Sequence, residues 1–280
     1  VPRPSLLKAR QANDIESNRK LEMSTSDSET AEVLLSLRGI SKSFGQVQAL
    51  TDVSLDVPEG KVTALIGDNG SGKSTLIKTI AGLWSPDSGE IHWRDKRVHI
   101  STPRDAEELG IKTIYQDLAL CDNLDIVGNM FLGHEEMTYK LLDEGKMEGT
   151  ALKVLEQLQV VTVKSVRQLA ESLSGGQRQS VAVAKAVMTN ARLVIMDEPT
   201  AALGVVQTRV VLELVKRLSS SGVAVLMISH NLNDVFAVAD RIAVMYLGRL
   251  VVSGPASGFN RQNAVEYMTT GTAAQTVDVA

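Results

Sequence analysis

Gly67-Asp68-Asn69-Gly70-Ser71-Gly72-Lys73-Ser74-Thr75 decides how the rest of this sequence is read. It follows the apolar run Lys61-Val62-Thr63-Ala64-Leu65-Ile66, which has strand character. It precedes Leu76-Ile77-Lys78-Thr79-Ile80-Ala81-Gly82, which has helical character. Strand, glycine-rich turn and helix are the context that a phosphate-binding loop needs, and the spacing is GxxxxGK[ST] with Gly67 and Gly72 as the paired glycines. The glycines let the backbone wrap closely, so that successive amide N–H groups point into one concavity, and the helix adds its positive dipole end. On this reading the stretch from Gly67 to Thr75 holds a nucleotide, Lys73 reaches its β- and γ-phosphates, and the Ser74 hydroxyl ligates Mg²⁺.

The whole chain narrows the choice. It has 280 residues, a formal charge of −4 and 44% hydrophobic residues, which suits one large α/β domain or two small lobes. The mildly acidic balance asks for no nucleic-acid partner. The single cysteine, Cys121, excludes an internal disulfide and a zinc cluster and reads as a small apolar filler. No apolar run reaches the length needed to cross a bilayer and no signal peptide is evident, so a cytoplasmic protein is expected, one that would borrow any membrane location from a partner.

Residues 1–32 are polar and irregular and are expected to be a disordered extension. The chain opens on Val1, and Met23 begins a plausible shorter product, so residues 1–22 read as upstream sequence that a chain starting at Met23 would do without. Alternation at Leu35, Leu37, Val47, Ala49, Val53, Leu55 and Val57 predicts antiparallel strands with turns at Arg38-Gly39 and Phe44-Gly45. Phe44 reads equally as a core aromatic or as one that stacks on a nucleobase. His92 and Trp93 read as surface and packing residues. A helix is expected over 103–110 and a strand over 111–115 that runs into Gln116. Residues 117–180 change character, with helices expected about 126–132 and 147–160 and a charged, glycine-containing loop between them, and read as an inserted helical lobe. Leu173-Ser174-Gly175-Gly176-Gln177-Arg178-Gln179 opens a helix over 180–188, a second anion-binding device. Leu193-Val194-Ile195-Met196 reads as a buried parallel strand that delivers Asp197 and Glu198 to a site. A helix over 204–219, a strand over 223–229 ending on His230, a strand over 242–247 with a hairpin to 252, and a helix over 259–268 follow. Residues 271–280 read as a loose tail.

The chemistry follows from where these residues fall. Asp197, at a strand end, can hold Mg²⁺ opposite Ser74. Glu198, one step on, suits a general base that polarises an attacking water. The Gln116 amide both donates and accepts, so it can bridge metal and water. His230 can donate to the γ-phosphate. A single chain can hardly fold the Ser174-Gly175-Gly176 turn back onto its own nucleotide. Two chains paired head to tail solve this, each covering the other's ATP, closing on binding and opening after hydrolysis.

With these residues in hand, GDNGSGKST, Gln116, LSGGQRQ, LVIMDEP and His230 strongly resemble the ATP-binding-cassette ATPases over residues 34–270. The resemblance implies a P-loop NTPase core with an antiparallel β subdomain and a helical subdomain. It implies ATP and Mg²⁺ as cofactors, with Ser174, Gly175, Gly176 and Gln177 contacting the partner chain's ATP, and catalysis by Glu198, His230, Gln116 and Lys73. Ser74, Gln116 and Asp197 would hold the metal, and Phe44 matches the base-stacking aromatic. It further implies docking of residues 117–134 on a transmembrane permease, at the cytoplasmic face of the bacterial inner membrane. YQDLALCDNLDIVGNMFLG, DEPTAALGVVQ and SHNLNDVFAVADRIAVMYLGRLV are similar to the subunits that energise monosaccharide importers of the ribose, xylose and fructose type, which also work with an extracytoplasmic sugar-binding protein. Many of those carry two cassettes in tandem. One cassette here implies a homodimer. The usual cassette has an aspartate soon after the Asp-Glu pair, whereas Ala201-Ala202-Leu203-Gly204 ends in glycine.

Overall fold

The computed structural model describes residues 32–160, 163 and 165–272, so the readings placed on residues 1–31 and 273–280 lie outside the described residues. Strands β1 (Val33–Phe44) and β2 (Val47–Pro58) pair antiparallel, and β4 (Ser88–Trp93) and β5 (Lys96–Val98) extend them into a sheet of order β2-β1-β4-β5. The turn expected at Arg38-Gly39 is not there, because β1 runs through it. Gly39 takes φ +63°, its N–H donates to Ser54 Oγ at 3.0 Å, and the pairing with β2 slips between Leu37 and Ile40. A bulge bends a strand without ending it, and a glycine in the sequence signals either outcome.

The second sheet holds β3 (Val62–Gly67), β6 (Ile111–Ile114), β9 (Leu193–Asp197), β10 (Ala224–Ile228) and β11 (Arg241–Tyr246), all parallel. Strand β12 (Arg249–Pro255) runs antiparallel on β11, and the order is β12-β11-β3-β10-β9-β6. Unbroken apolar strands require both faces to be covered. Val62, Ala64, Val194, Met196 and Val225 pack into one core, against helices α5 (Gly175–Met188) and α6 (Val205–Ser220). Leu65, Leu193, Ile195 and Leu226 pack into a second core with Leu35, Leu37 and Val53 of the antiparallel sheet and with Leu76, Ile77 and Ile80 of α1 (Lys73–Ile80). Parallel strands point their carboxyl ends at one edge, so the residues that follow β3, β6, β9 and β10 all emerge together there.

The chain between β6 and β9 builds the helical part from α3 (Ile126–Phe131), α4 (Glu144–Gln157) and the start of α5; α2 (Pro103–Glu108) precedes β6. Arg167 joins its pieces through Asp125, Glu144 and Glu148 at 3.0–3.4 Å. The loop expected between α3 and α4 holds a small hairpin, β7 (Met137–Thr138) with β8 (Leu141–Leu142). Its turn places Tyr139 and Lys140 at φ +51° and +67°, a conformation that Asn-Gly usually marks in a sequence. Helix α5 begins at Gly175, five residues before the expected start. Ser174 caps it in a box with Gln177, and a cap of this kind lets two glycines occupy the first turn.

Asn129, on α3, is fully buried. Its Oδ1 accepts from Cys121 N–H at 2.7 Å, and its Nδ2 donates to the carbonyls of Cys121, Leu124 and Asp125 at 2.9–3.2 Å. One amide therefore satisfies the backbone of the loop downstream of Gln116. Replacing Asn129 by Leu strands those groups in an apolar setting and is expected to cost about 2–4 kcal/mol. Urea denaturation checks this; a cost below about 1 kcal/mol would mean that the loop finds other partners.

Candidate nucleotide site

The loop after β3 is shaped by close approach. A Cβ on Gly67 would stand 2.4 Å from the Met245 carbonyl oxygen and 2.6 Å from Ser71 Oγ, so only glycine passes between β3 and β11. Gly72 caps α1 at φ +100°, where a Cβ would stand 2.8 Å from the Ala49 carbonyl oxygen. The loop is also stapled from behind: Gly248 N–H donates to Ser71 O at 3.0 Å, and Thr51 N–H donates to Gly248 O at 2.8 Å. Asp68 is exposed at the rim, and its carboxylate accepts from Asn69 N–H at 2.8 Å.

Lys73 is the first residue of α1 and is buried. Its ammonium donates to the carbonyls of Gly67 and Asp68, both at 2.8 Å, and to Ser71 Oγ at 3.3 Å. Burial pushes its pKa below the usual lysine value, against the pull of Glu198, Asp68 and Asp197. A desolvated cation held by neutral carbonyls is well placed to exchange them for phosphate oxygens.

A cleft of about 500 Å³ opens over the loop, lined by Asn69, Gly70, Gly72, Lys73, Ser74, Thr75, Gln116, Asp197 and Glu198. Three segments far apart in the chain supply these residues, as the common strand edge requires. The other wall is Val47, Gln48 and Ala49 of β2 with Leu247 and Gly248 of the β11–β12 turn. Sequence reasoning missed this wall, because no local pattern ties those residues to the glycine-rich loop.

Asp197 ends β9 half-buried, and burial, followed by the neighbouring Glu198, raises its pKa above the usual carboxylate range. The sign follows. A carboxyl group whose folded pKa is raised costs nothing below its unfolded value, and the penalty grows as pH rises through the folded value. Asp197→Asn is therefore expected to raise the melting temperature of the nucleotide-free chain at neutral pH by roughly 2–4 °C. The gain should vanish in scans below the unfolded value of 3.8. A lowered melting temperature at neutral pH would show that the carboxylate helps to hold the fold.

Glu198 follows with φ +50°, a left-handed conformation that costs a non-glycine residue roughly 1–2 kcal/mol. Its N–H donates to Ile228 O at 3.0 Å, tying it to the end of β10. Its carboxylate Oε1 lies 2.8 Å from Nδ1 of His230, the exposed second residue beyond β10. The sequence reading gave these two side chains separate tasks; the structure pairs them.

Ser74, Gln116 and Asp197 offer a hydroxyl, an amide and a carboxylate to the same cleft, and oxygen donors of this kind suit a hard divalent cation. Among the described residues no group of three or more His, Cys, Asp or Glu side chains could hold a metal.

The other expected site residues lie elsewhere. Ser174, Gly175, Gly176 and Gln177 form the start of α5 and do not line the cleft. Phe44, the last residue of β1, is 41% exposed; its ring meets Trp84 edge-on at 4.6 Å and also stays out of the cleft lining, which begins at Val47. A separate groove of about 410 Å³ runs between the sheet and the helical part, lined by Leu83, Ile114, Tyr115, Leu118, His134 and Ala186 among others. Among the described residues no helix is long and apolar enough to cross a membrane.

The family described as ABC transporter matches residues 50–201. The xylose/arabinose import ATP-binding protein of Sulfolobus acidocaldarius is 46% identical over 236 residues, 84% of this chain and 94% of that protein. The fructose import ATP-binding protein of Rhizobium meliloti is 44% identical over 246 residues, 85% of this chain and 94% of that protein. Among solved structures, the ADP conformation of an ATP-binding cassette of an ABC transporter superposes with a TM-score of 0.73 at 29% identity, covering 85% of this chain and 95% of that one.

Proposed function

The chain belongs to the ABC transporter family and is an ATPase of it, and from that premise we propose that it energises import of a monosaccharide through a separate transmembrane permease. The observation that carries the reading is the single cleft that gathers Lys73, Ser74, Gln116, Asp197 and Glu198, with His230 paired to Glu198. The names of two relatives, import ATP-binding proteins for xylose/arabinose and for fructose, support the sugar.

Each residue has a role in this scheme. The loop N–H groups and Lys73 bind the β- and γ-phosphates of ATP. Ser74, Asp197 and Gln116 would hold Mg²⁺, which when bound neutralises charge on the phosphates. Glu198 takes a proton from the attacking water, and His230, whose Nδ1 lies 2.8 Å from Glu198 Oε1, orients that carboxylate. Phe44 and the Val47–Ala49 wall would receive the base. The start of α5 lies outside its own cleft, which supports a head-to-tail homodimer in which Ser174, Gly175, Gly176 and Gln177 close on the partner's ATP. Residues 117–134 contribute Leu118 and His134 to the groove beside the helical part, which supports that groove as the permease dock. The chain would then sit at the cytoplasmic face of the membrane, without nucleic acid, its transport system served by an extracytoplasmic sugar-binding protein.

The test is to tag the chain, solubilise its membranes gently and identify what co-purifies. A polytopic membrane protein, and an ATPase rate in liposomes that rises with a pentose or hexose, are expected. Co-purification with ribosomes or nucleic acid, or with no membrane protein at all, overturns the import reading and leaves the ATPase chemistry standing.

A further inference from the structure

Helix α6 has Gly204 as its N-cap, and no side chain caps it. The space a side chain at 204 would take is already filled, because a Cβ there would stand 2.6 Å from Oε1 of Gln207. The stem of the same glutamine lies against the start of α5: a Cβ on Gly176 would stand 3.1 Å from Gln207 Cβ and 3.3 Å from its Cγ. One side chain therefore packs against both the Ser174–Gln177 turn and the loop that leads away from Glu198.

That loop is tightly wound. Ala201 N–H donates to Glu198 O at 3.0 Å and Leu203 N–H to Thr200 O at 3.3 Å, while Glu198 and Ala202 both hold positive φ, +50° and +59°. Thr200 Oγ1 donates to the buried Asp234 carboxylate at 2.6 Å, which pins the middle of the loop to α7 (Leu232–Val238). A segment with this many short-range bonds shifts as a unit rather than bending.

We infer that Gln207 is a positioning residue for hydrolysis: its side chain, with the stem against Gly176 and the carboxamide in the space left by Gly204, joins the Ser174–Gln177 turn to the 198–204 loop, so that phosphates seated on the turn set the place of Glu198. The inference rests on the paired-chain reading given above. It also gives the glycine at 204 a reason, since a side chain there would displace the end of Gln207. Gln207 does not line its own chain's nucleotide cleft, so its contribution falls on kcat and not on KM for ATP.

The test is a double-mutant cycle on the ATPase of the full chain in its assembled complex. Gly204 has φ −72° and ψ 166°, which any residue adopts, and a Cβ there displaces only the flexible end of Gln207. Gly204→Ala and Gln207→Ala are each expected to lower kcat roughly five- to tenfold, with KM and melting temperature unchanged. The double variant should be no slower than Gln207→Ala alone, because the group that Gly204→Ala displaces is then already gone. Gln207→Glu, which keeps an oxygen in the same place, should retain about half the rate or more. Single variants within about twofold of the parent, or losses that multiply in the double variant, overturn the inference. So does a kcat loss that tracks a loss of melting temperature across the set. Failure of the paired-chain reading shows separately, as mixed complexes of Lys73→Ala with Gly176→Asp and with Ser174→Asp that both lack activity, and takes the inference with it; Ser174→Asp is needed because an aspartate at 176 crowds Gln207 itself. If either complex is active and the cycle multiplies, the coupling alone falls.

Discussion

Glu198→Gln is expected to leave ATP binding intact and to lower hydrolysis by roughly 10²–10⁴-fold, the range a positioned general base supplies. The substitution keeps the shape of the side chain and a hydrogen-bonding atom toward His230 Nδ1, now 2.8 Å from Oε1. The backbone strain at φ +50° and the bond to Ile228 O are untouched, so the fold should hold. What goes is basicity and one negative charge. Glu198 is also the strongest of the carboxylates that pull the Lys73 pKa upward, so nucleotide affinity must be measured alongside turnover. Fluorescent nucleotide displacement gives the first quantity and phosphate release the second. If the rate falls only because ATP no longer binds, Glu198 acts through Lys73. If turnover is undiminished, Glu198 has no part in the chemistry, and the other carboxylate in the cleft, Asp197, would have to serve.

The parts of the site that were legible in the sequence are those set by neighbours along the chain. The GxxxxGK[ST] spacing, the apolar run before Asp197 and the strand before His230 each carry their own signal, and parallel strands then bring their ends to one edge without further instruction. The antiparallel sheet and the helical insertion were legible for the same reason. What was not legible depends on contacts across the chain. The staple from Gly248 to the loop, the brace by Asn129 and the Gln207 contact with Gly176 join residues whose local patterns are ordinary. The anchoring of β3 is another case: Val62 N–H donates to the Asp240 carboxylate across 178 residues of sequence. Local misreadings had local causes. Gly39 permits a bulge as well as a turn, and a capping box starts a helix on two glycines that propensity alone would exclude. The role of the Ser174–Gln177 turn came from resemblance, and the geometry supplies one independent fact about it, that it stands outside the cleft of its own chain.

That fact carries the second large effect. A chain with Lys73→Ala keeps its α5 turn and loses its phosphate grip; a chain with Gly176→Asp keeps the grip and loses the turn. Each alone is expected to be inactive. In a mixed pair, the intact loop of the second chain meets the intact turn of the first, so one composite site of the two is whole. Co-expressed with different tags and isolated as the doubly tagged complex, the pair should recover up to about half of the parent rate, and an equal unsorted mixture up to about a quarter. Gly176 lies against Gln207, so an aspartate there also crowds its own chain. Ser174→Asp removes that ambiguity. Aspartate is as good an N-cap as serine, so α5 keeps its start, while a carboxylate now faces the partner's γ-phosphate and repels it. If both pairings, with Gly176→Asp and with Ser174→Asp, form doubly tagged complexes that are no more active than the separate variants, the turn does not act across the pair. It would then have to reach its own nucleotide through a movement of α5 relative to the parallel sheet, against a core in which Val181, Val183 and Ala184 are fully buried. Moving such a helix breaks close-packed contacts that a side-chain rearrangement cannot restore. The paired arrangement needs no such movement, because a second chain can present the turn with the core of both left intact.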